Sequence, residues 1–173
     1  MKHRQTLWIP AWTLLVALPF LLVAGTAAQG LTFTKSLAAG QSPTVAPGEP
    51  VVFEIEMINE GDALTNWPLK DILDGCFEPI TCDDVSCVGG ISCGLCQEIP
   101  DVNVNGFDHN SIDLAAAGQP DDRVTLTVNA TAGGASGECC NGAITLDPLG
   151  GLLFDQECVS IEGGPQVEFS ALH

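Results

Sequence analysis

The sequence predicts an all-β chain folded as a two-sheet antiparallel sandwich, on three observations. Several short stretches alternate apolar and polar residues with a period of two. Clusters of Gly, Pro, Asn and Asp punctuate them, and no stretch carries a convincing helical period. About seven short strands spaced in this way suit a sandwich, which buries alternate side chains between its sheets.

In chain order, residues 1–28 read as a secretory signal peptide. Lys2, His3 and Arg4 precede an uncharged apolar run from Leu7 to Ala24, and Thr26-Ala27-Ala28 offers small residues for cleavage. Pro10 and Pro19 interrupt the run, which favours a cleaved leader over a permanent anchor. Residues 29–173 then form a single domain of ordinary size. They hold all 22 acidic residues against only Lys35, Lys70 and Arg123 as basic ones. Such a surface repels nucleic acid and anionic membranes, so neither is expected as a partner once the leader is removed.

Leu31 to Leu37 alternates and makes the first strand. Pro47-Gly48 supplies a turn, because proline fixes φ and glycine tolerates positive φ. The most regular strand follows. Val51, Phe53, Ile55 and Met57 share one face, and Val52, Glu54, Glu56 and Ile58 the other. Asn59-Glu60-Gly61-Asp62 ends it. Ala63 to Leu73 carries Leu64, Trp67, Leu69 and Ile72 but is interrupted by Pro68, so an irregular or edge strand is expected. Residues 76–100 hold five cysteines and show no periodicity, the pattern of a disulfide-stapled loop insertion standing off the domain. Asn105-Gly106 between Val102-Asn103-Val104 and Ser111 to Leu114 suggests a loose hairpin. Val124, Leu126 and Val128 alternate with Thr125, Thr127 and Asn129 in the next strand, Arg123 to Thr131. Cys140 to Leu146 and Phe154 to Ile161 are the last strands, with a short one at Gln166 to Phe169.

The eight cysteines, Cys76, Cys82, Cys87, Cys93, Cys96, Cys139, Cys140 and Cys158, all follow the leader, and an even count in an exported chain argues for disulfides. Spacing leaves their pairing open, with one exception. Cys139 and Cys140 are neighbours on a strand and point to opposite faces, so they take different partners.

The order of motifs resembles the conserved-repeat domain of bacterial and archaeal surface proteins, an Ig-like module of unassigned activity. The marks are a first strand carrying a lysine (Leu31-Thr32-Phe33-Thr34-Lys35) and a Pro47-Gly48-Glu49 turn. An alternating strand ending in Asn59-Glu60-Gly61 and a segment closing on Asp71-Ile72-Leu73 come next. Ala117-Gly118 then precedes a Thr- and Val-rich strand, and the last strand of the pattern opens on Asn141-Gly142-Ala143-Ile144-Thr145. The resemblance spans about residues 31–75 and 111–147. It implies an Ig-like extracellular module that is structural, adhesive or filament-forming, and it implies no catalytic residues.

Candidate chemistry is sparse. Asp101, Asn103 and Asn105, with Gly106 and then Asp108 and Asp113, match the first half of a calcium loop, since Ca²⁺ takes six to eight oxygen ligands. The closing acid is one residue late, so a hairpin turn competes with this reading. Cys93-Gly94-Leu95-Cys96 is a C-x-x-C, but six further cysteines in an exported chain point to disulfides before redox or zinc chemistry. Asn129-Ala130-Thr131 is a glycosylation sequon on an outward face. His109 falls in an expected turn, no carboxylate pair has a diagnostic spacing, and no enzymatic activity is expected. These observations favour an exported non-enzymatic structural or adhesive surface module, a candidate subunit of an extracellular filament or matrix. The alternative is a secreted calcium-dependent binding protein built on the Asp101–Asp113 loop, calcium being the sole cofactor considered. Expected partners are other surface proteins or copies of itself, with residues 31–37 or 166–172 as a strand donated to a neighbour in a homopolymer.

Overall fold

The computed structural model describes residues 30–163, apart from Pro100 and Val102; the expected leader and the expected strand at 166–169 lie outside these residues. Ten strands follow in order: β1 (Leu31–Leu37), β2 (Thr44–Val45), β3 (Pro50–Asn59), β4 (Leu64–Leu73), β5 (Val85–Gly89), β6 (Leu95–Glu98), β7 (Asn105–Leu114), β8 (Arg123–Thr131), β9 (Gly137–Leu146) and β10 (Leu152–Ile161). One sheet has the order β1-β3-β8-β5 and the other β2-β10-β9-β4-β7-β6. All pairings are antiparallel except the short parallel contact of β2 with β10. The architecture is an Ig-like two-sheet sandwich.

Period-two alternation builds the core. Val51, Phe53, Ile55 and Met57 of β3 are fully buried, as are Val124, Leu126 and Val128 of β8, which pair across from them. They meet Leu69 and Leu73 of β4, Phe107, Ile112 and Leu114 of β7, and Val159 and Ile161 of β10. Burying each such side chain stabilises the fold by roughly 1.5–3 kcal/mol. Phe77 adds an edge-on contact to Phe53, with ring centroids 5.7 Å apart.

Polar side chains close the ends. Asn59 accepts the Gly61 N–H through Oδ1 and donates through Nδ2 to the carbonyls of Asp62 and Ala115. That ties the β3–β4 turn to the one after β7, which explains the Asn-x-Gly signature. Gly48 has φ 83, the conformation a Pro-Gly turn requires at that position. Leu31 lies level with Asn59, at one end of the sandwich. Ile161 lies level with Gly137 and Val45, at the opposite end.

Three expectations are corrected. First, β4 is irregular as expected but is not an edge strand, since it lies between β9 and β7 in the interior of its sheet. It tolerates Pro68 because its register against β7 shifts on both sides of Trp67, with Asn66 at φ 55 and Ser111 at φ 66. Pro68 has no partner in the ladder, so its missing N–H breaks none of its bonds. Second, residues 105–114 form one strand, not a hairpin. A side chain at Gly106 would collide with the Asp71 carbonyl, so the glycine serves close approach to β4. Third, the cysteine-rich segment extends both sheets instead of standing off them: β5 pairs with β8, and β6 with β7.

Candidate functional site

Three of the buried polar residues, one from each of three strands, gather in one place in the core. Lys35 on β1 is in phase with Leu31, Asp71 on β4 with Leu69 and Leu73, and Asn141 on β9 with Cys139 and Ala143. Because the flanking residues face inward, these three must also. Lys35 Nζ lies 2.6 Å from Asp71 Oδ1, and both side chains are wholly excluded from solvent. The ammonium position is 5.4 Å from the centre of the Phe53 ring. Asn141 stands opposite Leu73, two residues along from Asp71 on the neighbouring strand. Its carboxamide is fully buried, and neither of its polar atoms nor Asp71 Oδ2 makes a well-directed hydrogen bond. It is still near enough to Asp71 to favour the ionised carboxylate somewhat.

Burial governs the protonation of the pair. Loss of hydration pushes the Lys35 amine below its ordinary pKa, with the Asp71 charge pulling it partly back. Loss of hydration likewise raises the Asp71 carboxyl, with Lys35 and then Asn141 acting in the opposite sense. Both shifts favour a neutral amine beside a neutral acid. The Lys35 backbone N–H is donated to Asp155 Oδ2 at 2.7 Å, which fastens β1 to β10 of the facing sheet.

All three residues belong to motifs that carry the family resemblance, yet sequence reasoning gave them no chemical role. The signal was present: each is polar at a position whose strand phase demands an apolar side chain.

The five residues of the calcium expectation are placed differently. Asp101 Oδ1 accepts from the backbone and side chain of Asn103, and Asn105 is bound to Ile80 N and the Glu78 carbonyl. These three line a cleft of about 400 Å³ with Glu98. Asp108 pairs with Lys70 at 3.2 Å, and Asp113 accepts the Asn66 N–H. Asp108 and Asp113 are five residues apart along β7, on the order of 16 Å. The fold therefore gathers three of the five. Among the described residues, Glu138, Cys140 and Cys158 group their ligand atoms closely, but both sulfurs are held in a disulfide.

The disulfides are Cys76–Cys139, Cys82–Cys96, Cys87–Cys93 and Cys140–Cys158. Cys139 and Cys140 do take different partners, one in the core and one across the outer face to β10. The two ends of the C-x-x-C bond elsewhere. Asn129 is exposed on β8, where its amide donates to the Asp84 carbonyl. His109 is buried in β7, not set in a turn.

No family model and no curated protein sequence matches the chain. Solved structures do. The pilus backbone of Streptococcus pneumoniae is similar with a TM-score of 0.52 and 14% identity, over 68% of this chain and 52% of that one. A cohesin module from a Clostridium perfringens family 33 glycoside hydrolase gives 0.50 and 12%, over 76% and 98%. The chain thus spans about half of the pilus protein and nearly all of the cohesin module. At these identities the likeness shows the fold alone, an Ig-like two-sheet sandwich.

Proposed function

We propose that this chain is an exported, non-enzymatic structural module that assembles with copies of itself at a cell surface or in a surface filament. The observation that carries assembly is the outer face of the six-stranded sheet. Ile72, Leu146, Leu152 and Phe154 are exposed there, beside the exposed Leu149 of the β9–β10 turn. The Phe154 ring lies against Gly142, where a side chain would crowd it. An apolar face on so acidic a protein is the kind of surface that marks association. Lys70 borders it with a half-exposed side chain, and it is one of only two basic side chains at the described surface. A second copy offers both an apolar face and abundant carboxylates to that rim.

The strand-exchange version gains less support. Residues 31–37 are already paired with β3 of their own chain, and residues 166–172 lie outside the described residues. Sedimentation and electron microscopy of the purified protein test assembly. Oligomers should grow with added salt, which screens the acidic repulsion without weakening apolar contact. Phe154→Asp should abolish them. Dispersed monomers at every salt concentration would remove the assembling role, and immunogold label absent from the producing cells would remove the surface location.

A further inference from the structure

The Lys35, Asp71 and Asn141 cluster has the composition of a reaction and not only of an ion pair. A buried Lys–Asp contact explains two of the residues. It leaves unexplained why a third polar side chain, Asn141, is completely buried beside them with both its amide atoms unpartnered. An unsatisfied buried amide ordinarily costs about 1–3 kcal/mol, and such groups call for a reason. Leucine or valine in the same strand phase would fill the space without that cost.

We propose that Lys35 and Asn141 become joined by an intramolecular amide bond, with Asp71 as the proton-transfer group, so that the two sheets are covalently linked through their core. The chemistry closes with no outside reagent. The Lys35 amine attacks Cγ of Asn141 and forms the C–N bond, while the carbonyl electron pair moves onto Oδ1 and takes a proton from the Asp71 carboxyl. Asp71 then accepts the proton released by the amine and passes it to Nδ2. The C–Nδ2 bond breaks and ammonia leaves, and the carbonyl reforms as Oδ1 returns its proton to the Asp71 carboxylate. Asp71 ends as it began.

Each requirement is met by a feature already described. An attacking amine must be unprotonated, and the dry site lowers the lysine in that direction. The proton donor must hold its proton at neutral pH, and the same burial raises Asp71. The donor must reach both partners: Asp71 is 2.6 Å from the amine and adjoins the Asn141 carboxamide. Water, the competing nucleophile, is excluded by Phe53 and the surrounding core. The partners sit on β1 of one sheet and β9 of the other, each fixed by its own ladder, so the groups are held in place without being ordered anew.

The test is mass spectrometry of the native full-length protein after reduction of the disulfides. The intact mass should fall short of the sequence mass, after leader removal, by one ammonia. Because cyclisation of an N-terminal Gln29 would produce the same loss, the bond must be located by digestion. Trypsin should fail to cut after Lys35, and the fragment ending at Lys70 should remain attached to the fragment beginning at Val124. Lys35→Met and Asn141→Ala should each release the two fragments. Asp71→Asn, which keeps both partners and replaces the proton donor, should release them as well. Separate fragments from the wild-type protein would overturn the proposal, and that readout does not depend on any variant folding. A loss of one water, with Lys35 attached to Asp71, would overturn the assignment of Asn141 as acceptor.

Discussion

Removing the four disulfides one at a time should reveal a ranking set by loop length. Cys76–Cys139 spans 63 residues, whereas Cys87–Cys93 spans 6. In the chain-entropy account the longer link restrains the unfolded chain more, and the two are worth about 4 and about 2 kcal/mol respectively. Cys140–Cys158 and Cys82–Cys96, with separations of 18 and 14, fall between at about 3 kcal/mol each. For a domain of this size the extremes correspond to drops in Tm of about 15 °C and about 8 °C. Paired Cys→Ala variants, melted by circular dichroism at one pH and salt concentration, provide the comparison. Cys139 is buried, so its loss also opens a small cavity and adds to the same side of the ranking. The surface pair Cys140–Cys158 lacks that contribution and isolates the loop term. Equal losses across the series, or a larger loss from Cys87–Cys93 than from Cys140–Cys158, would refute the reasoning.

Other outcomes follow from single side chains. Asn59→Ala removes three hydrogen bonds at a buried turn and should cost roughly 2–4 kcal/mol in urea unfolding; a loss below 1 kcal/mol would mean that water replaces them. Burial holds the His109 imidazole below its usual pKa, partly offset by a hydrogen bond to the Cys93 carbonyl. The unfolded chain therefore gains this proton first as pH falls below about 6.5. Stability from this group is full above that value and is lost as pH drops toward the folded pKa. His109→Leu should flatten that part of the pH profile, and an unchanged slope would assign it to other groups. Calcium titration should leave Tm unchanged, since Asp108 and Asp113 are held away from Asp101 and Asn103; a rise that Asp101→Ala abolishes would show that the loop alone binds the ion.

Strands with one dry face were legible in the sequence because burial imposes alternation on them. β1, β3 and β8 match their expected spans closely, and the inward positions of β3 from Val51 to Met57 are all apolar. β5 and β6 were not legible. They are short edge strands with mostly exposed side chains, so no period is enforced and the cysteines dominate the composition. For β4 the irregularity was legible in Pro68 but the interior position was not, because its pairing with both β7 and β9 is not contained in the local sequence. The buried cluster shows the same division. The phase of Lys35, Asp71 and Asn141 was readable in each strand, but that one strand of the first sheet would carry its lysine to two strands of the second is a property of the sandwich.

The positions of Leu31 and Ile161 at opposite ends of the sandwich have a mechanical consequence. Tension applied along the long axis would not peel the terminal strands away one pair at a time. It would slide β1 along β3 across seven residue pairs, and β10 along β9 across ten. In that direction many hydrogen bonds must break together, so resistance is high where stepwise opening would be easy. Cys140–Cys158 locks the second of these sliding interfaces at the seventh of its ten pairs. At the first, a Lys35–Asn141 link would transfer load directly from the entering strand to β9, leaving most of the sandwich outside the line of force.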